Sequence, residues 1–179
     1  MSLLDSLLPA FKDKVVQLLA NCAALGYEMR PNEGLRSPVK QGLYWRQSRT
    51  KAQIDEKIEY LQAHGAPFLA DCIIKAGPHD GPEITKSIPG MSWHQWGEAI
   101  DCVWIVNGHE EWSTSKVVNG HNGYVVYANE AKKLGLTAGG LWTSFKDWPH
   151  VQFHSAPSPA GNYSLQQIND IMKQRFSLT

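Results

Sequence analysis

Apolar residues early in the chain recur at three- and four-residue intervals: Leu4, Leu7, Leu8, Phe11, Val15, Leu18, Leu19 and Cys22, with Gly26 after them. That period predicts an amphipathic helix over about Pro9 to Leu25, closed by a glycine. Gly26 to Arg30 then reads as extended, and Pro31-Asn-Glu-Gly punctuates it, leaving Arg36 at the end of a strand or in the loop after it. Ser37-Pro38 opens a short helix over Val39 to Gln47. A longer helix follows between Thr50 and His64, where Ile54, Ile58 and Leu61 share a stripe and Gly65 is the stop. Phe68 to Lys75 gives another short helix, and Gly77 to Pro82 is a loop.

The period then changes from helical to alternating. Glu98 to Val106 is a β-prone run ended by an Asn107-Gly108 turn, Tyr124 to Leu134 is helical, and Trp148 to His154 reads as a strand in which Val151 and Phe153 alternate with polar residues. Ser155 to Gly161 is a surface connection. A last helix from Ser164 to about Phe176 carries Leu165, Ile168, Ile171 and Met172 on one face. Strands among helices, without βαβ alternation, predict an α+β fold: a small antiparallel sheet flanked by helices in one domain over residues 1–179, with 164–176 as a packing helix.

Composition narrows the function classes. The 179 residues carry 17 basic and 17 acidic side chains, so the broad positive field of a nucleic-acid or anionic-membrane binder is not expected. Nothing reaches the ~18 consecutive apolar residues of a membrane span. The N-terminus shows no basic start or cleavage site, which predicts a protein held in the cytosol. The three cysteines, Cys22, Cys72 and Cys102, are too scattered for a disulfide framework or a C-x-x-C metal motif and are expected to be small buried residues.

The candidate chemistry begins with Ser92-Trp-His94-Gln-Trp-Gly-Glu-Ala-Ile-Asp101. On a strand, Asp101 shares a face with Ala99, Val103 and Ile105, and a carboxylate there needs a cation or donors. A metal satisfies it; an arginine or backbone amides are the alternative. The second piece is Asp147-Trp-Pro-His150, in which His150 starts a strand and Asp147 lies just outside it. Three protein ligands, an open fourth position and a carboxylate to take a water's proton make a catalytic zinc site. His154 stands four extended steps of about 3.3 Å beyond His150, too far for easy joint ligation. His64, His79, His109 and His121 fall in or near loops and read as solvated, and Cys102 alternates away from Asp101. Trp93, Trp96, Trp142 and Trp148 bracket the candidate ligands, as walls of a cleft or as core.

Taken together, Ser92-x-His94-x-x-Gly97-x-Ala99-x-Asp101 and Gly139-Gly-Leu-Trp-Thr-Ser-Phe-Lys-Asp147-x-Pro-His150-Val-Gln resemble the zinc peptidases of bacterial cell walls. These are the D-Ala-D-Ala carboxypeptidases and L-alanyl-D-glutamate endopeptidases, phage endolysins among them. Leu35-Arg36-Ser37-Pro-Val-Lys-Gln41-Gly-Leu43-Tyr44 resembles the family's arginine-bearing block, except that only Gly42 separates Gln41 from Leu43. The three blocks occur in the family's order. The resemblance implies the hedgehog/D-Ala-D-Ala peptidase type of fold, one catalytic zinc ion on His94, Asp101 and His150, Asp147 as base, and Arg36 facing the developing oxyanion. Ser92, Gln41 and Trp148 are implied as weaker substrate-binding or orienting candidates. Without the resemblance, Arg36 reads as a surface salt bridge. Two departures stand out: Leu141 where the family often has aspartate, and a long Lys51 to Pro82 stretch that serves as lid, specificity loop or packing.

The implied function is hydrolysis of peptidoglycan stem peptides, as an L-Ala-D-Glu endopeptidase, with D-Ala-D-Ala carboxypeptidase as the close alternative. The expected partner is the stem peptide, with no nucleic acid and no membrane, acted on by a monomer. A phage-type enzyme would wait in the cytosol for a holin. The rivals from other classes are a non-catalytic wall-binding module and a structural zinc protein, the latter weakened because structural sites usually close with four protein ligands.

Overall fold

The computed structural model describes residues 2–176. By backbone contacts the chain divides into two compact units, one of Met1–Leu35 with Trp96–Ser155, the other of Arg36–Gln95 with Ala156–Thr179.

The first unit holds helix α1 (Pro9–Ala24), helix α5 (Gly123–Lys133) and five strands: β1 (Glu28–Glu33), β2 (Ala99–Val106), β3 (His109–Glu111), β4 (Thr137–Ala138) and β5 (His150–Gln152). All pairings are antiparallel, in the order β1-β2-β5-β4, with β3 folded back on the end of β2. Pro9 stands at the first turn of α1, where its missing N–H costs nothing. Of the stripe read from sequence, Phe11, Val15, Leu18 and Cys22 join Tyr27, Ile100, Trp104, Tyr127 and Val151 in one core, Leu4 and Leu19 are half-buried, and Leu8 is exposed.

Three strand details depart from the sequence reading. β1 runs on through Pro31 to Glu33, with an irregularity between those residues, because β1 is an edge strand and an edge tolerates a residue that cannot donate. β5 is shorter than Trp148 to His154. β3 and β4 are too short for an alternation to reveal.

The second unit is helical: α2 (Pro38–Arg46), α3 (Lys51–Ala63), α4 (Pro67–Lys75) and α6 (Leu165–Phe176). Leu61, Leu69, Ile73, Ile168 and Met172 are buried there. Much of the long Lys51 to Pro82 stretch is therefore packing: α3 and α4 bury Ile54, Leu61, Leu69, Ala70, Cys72 and Ile73. Helix α4 opens on Ala66, which has no side chain to cap it. Asn169 of α6 supplies the acceptor instead, its Oδ1 taking the N–H groups of Phe68 (2.9 Å) and Leu69 (3.3 Å). Asn169→Ala strips the acceptor from one buried and one half-buried donor at once, and a urea unfolding curve is expected to register a loss of about 1–3 kcal/mol.

Among the described residues no helix is long and apolar enough to cross a membrane.

Candidate metal centre

Asp101 and His150 meet through strand register. They are directly opposed on β2 and β5, and the Cys102 N–H donates to the Pro149 carbonyl at 3.0 Å. That bond flanks the pair, which makes Asp101 and His150 a non-hydrogen-bonded pair, the kind in which facing side chains come closest. His150 Nδ1 lies 3.1 Å from Asp101 Oδ1. The other ring nitrogen, Nε2, lies 3.1 Å from Gln152 Oε1. His150 is buried and Asp101 half-buried. Burial opposes a charge on the His150 ring, but the bond to Asp101, the charges of Asp101 and Asp147 and the bond to Gln152 outweigh it and raise its pKa above the usual imidazole range.

His94 sits on a short 3-10 turn over Trp93–Trp96. Its N–H reaches Ser92 Oγ at 3.4 Å, and its carbonyl accepts the Arg36 N–H at 3.2 Å. Gly97, at a φ of +71°, then turns the chain into β2, a conformation that glycine adopts without strain. His94 stands near the end of the Arg36–Gln95 segment of the second unit, and Asp101 and His150 belong to the first; each offers one metal-ligand atom.

This donor set fits zinc. Two imidazole nitrogens and one carboxylate oxygen suit its ligand chemistry, and three protein ligands leave a position open. The 3.1 Å between Asp101 Oδ1 and His150 Nδ1 is close to the edge of a tetrahedron with bonds of ~2.0 Å, which is about 3.3 Å.

Arg36 is only 9% exposed and so is not a solvated surface cation. Its Nη1 donates to Gln41 Oε1 at 2.9 Å, and the same oxygen takes a bond from Gln95 Nε2 at 2.9 Å. Gln41 Nε2 donates to the Ser87 carbonyl at 2.7 Å, which fixes the amide with its oxygen towards the guanidinium. Gln41 is fully buried, so its visible task is to hold Arg36 and Gln95. Gln95 Oε1 in turn accepts the Ser92 N–H at 3.2 Å.

Asp147 stands three residues before His150 on a turn closed by the His150 N–H donating to the Asp147 carbonyl at 3.2 Å. The Asp147 N–H donates to the Gly139 carbonyl at 3.2 Å. The paired glycines are required by close approach: a Cβ on Gly139 would lie 2.3 Å from the Asp147 carbonyl oxygen, and one on Gly140 would lie 2.5 Å from the Trp148 ring. Trp142 packs its ring 5.5 Å from that of His150, and Lys146 Nζ lies 5.1 Å above the Trp148 ring.

Residues set aside in the sequence fall elsewhere. His154 pairs with Glu98 at 3.0 Å. His64 stacks on Tyr60, and His79, His109 and His121 are exposed. Cys22, Cys72 and Cys102 are free and buried; burial pushes the Cys102 thiol up to about 12. Trp93 and Trp96 are buried, while Trp142 and Trp148 are half-buried. Sequence reasoning missed Gln152, because alternation assigned it to a solvated face, whereas all three residues of β5 are buried.

Comparison with known proteins places the chain. A family model described as D-alanyl-D-alanine carboxypeptidase matches residues 85–153, which carry His94, Asp101, Asp147 and His150. The peptidoglycan L-alanyl-D-glutamate endopeptidase CwlK of Bacillus subtilis (strain 168) is 27% identical over 147 residues, 80% of this chain and 71% of that protein. The L-alanyl-D-glutamate peptidase of Listeria phage A118 is 26% identical over 107 residues, 59% of this chain; the match spans 37% of the phage protein's length. Among solved structures, a mutant of the vancomycin-resistance D,D-pentapeptidase VanY in complex with Zn(II) aligns with a TM-score of 0.45 at 17% identity, over 94% of this chain and 79% of that one. The chain is thus similar to a D-alanyl-D-alanine carboxypeptidase family over residues 85–153, and to L-alanyl-D-glutamate peptidases over longer stretches.

Proposed function

We propose that this protein is a zinc peptidase that hydrolyses the L-alanyl-D-glutamate bond of peptidoglycan stem peptides, with His94, Asp101 and His150 as ligands and Asp147 as general base. The observation that carries the reading is the turn Asp147 to His150, which sets a half-buried carboxylate beside a ligand imidazole already paired with Asp101. Both sequence relatives bear names that specify this bond.

A zinc ion in this site would polarise the scissile carbonyl and acidify the attacking water. Asp147 takes the water's proton and returns it to the leaving amine. Arg36, with its guanidinium held by Gln41 and its backbone bonded to His94, is the cation for the charge that develops on the carbonyl oxygen. Ser92 orients the ligand turn through the His94 N–H. Trp148, half-buried beside the base, is the candidate for contact with the substrate. In this reading the enzyme works as a single-domain monomer on the stem peptide.

Mass spectrometry of purified peptidoglycan, digested with and without a zinc chelator, tests the proposal. The expected products are chelator-sensitive stem peptides beginning at D-Glu. Release of D-alanine alone would move the assignment to the carboxypeptidase branch that the family model's description favours. Absence of product from zinc-loaded protein would leave a wall-binding module.

A further inference from the structure

Gln152 lies two residues beyond His150 on β5, so the two side chains share a face. Its backbone is paired on both sides, with Ala99 of β2 and Thr137 of β4, and its side chain is 2% exposed. The amide is therefore held in a fixed setting, and its orientation can be read. Gln152 Nε2 donates to the His154 carbonyl at 2.7 Å. A carbonyl only accepts, so this end must be the NH2 group, and the end facing His150 Nε2 at 3.1 Å must be the oxygen.

An oxygen acceptor opposite Nε2 requires that nitrogen to carry the proton. Metal binding requires the neutral ring, which carries one proton; with that proton on Nε2, Nδ1 keeps its lone pair. Nδ1 is the nitrogen 3.1 Å from Asp101 Oδ1. A lone pair and a carboxylate oxygen then point into the same space, which suits a cation. With no acceptor at position 152, the ring would place its proton on Nδ1, donate it to Asp101 and obstruct the ligand nitrogen.

We propose that Gln152 is a positioning residue of the metal centre, holding the His150 proton on Nε2 so that Nδ1 is the metal ligand. The inference rests on the reading of His150 and Asp101 as ligands. It extends the site to a residue that touches neither metal nor substrate, and the His154 carbonyl fixes Gln152 in turn.

The test measures zinc dissociation constants by competition with a chromophoric chelator for the wild type, Gln152→Leu and Gln152→Glu. It is paired with 15N NMR of the histidine rings in the zinc-loaded wild type. Gln152→Leu is expected to weaken zinc about 10–100-fold, the usual cost of removing a partner behind a ligand histidine. Gln152→Glu keeps the acceptor opposite Nε2 but sets its second oxygen against the His154 carbonyl, and is expected to hold zinc more weakly than the wild type and more tightly than Gln152→Leu. The His150 spectrum should show a protonated Nε2 and a metal-shifted Nδ1. Unchanged affinity in folded Gln152→Leu, or a metal-shifted Nε2, would overturn the inference while leaving the zinc site standing. Should Gln152→Leu fail to fold, the wild-type spectrum decides alone. A wild type that binds no zinc would sink the site itself, a separate outcome.

Discussion

Asp147→Asn is expected to leave zinc bound and to lower turnover by about 10²–10⁴-fold, the contribution of a positioned general base. Asparagine has nearly the shape of aspartate but cannot take a proton from water. Two main-chain bonds hold this residue, from its N–H to Gly139 and from the His150 N–H to its carbonyl, and the exchange leaves both intact. His150, the proposed ligand, keeps that anchor. Cleavage of a purified stem peptide, followed by chromatography, gives the rate, and atomic emission gives the zinc content. Loss of zinc with loss of activity would make Asp147 structural, and full activity would place the base elsewhere.

Gly139→Ala is expected to damage the same reaction without touching a reacting group. Its new methyl would stand 2.3 Å from the Asp147 carbonyl oxygen, closer than non-bonded atoms allow, and 3.0 Å from the Asp147 Cβ, a tight contact. The turn must give way. That carbonyl also accepts the His150 N–H, so displacement is passed to the proposed ligand as well as to the proposed base. A shift on the order of 1 Å at a reacting group costs about 10²-fold in rate, and overpacking adds about 1–3 kcal/mol of lost stability. A kcat/KM assay with parallel thermal melts checks both. Wild-type kinetics would mean that the close approach has no bearing on catalysis.

Much of this architecture was legible in the sequence because local patterns and long-range packing agree. The three-and-four spacing from Phe11 to Cys22 is the face that α1 buries, and the Thr50 to His64 stripe is α3. Thr50 caps α3 as its position suggests, with Gln53 completing a capping box. The trio His94, Asp101 and His150 came from two short blocks, and of these residues Asp101 and His150 are directly opposed on β2 and β5. What stayed hidden depends on neighbours remote in sequence. β4 is two residues long and exists only because β5 is there to pair with it. Pro31 reads as a breaker until its strand is known to be an edge. Asn169 sits among the apolar residues of α6 with no local mark that a distant helix start needs its oxygen. Gln152 looks like the polar half of an alternating strand, yet β4 and β2 flank β5 and all three of its residues are covered.

The bond from the Asp147 N–H to the Gly139 carbonyl pinches the chain into a lariat. Inside the noose run mostly exposed residues, Phe145 among them at 70%. Outside it the ends are held by backbone bonds and by two glycines that admit no side chain. Length and lettering between residues 143 and 145 are thereby uncoupled from the position of the carboxylate. The noose is a cassette: what it displays to a substrate can be rewritten by mutation while the knot keeps base and ligand in place.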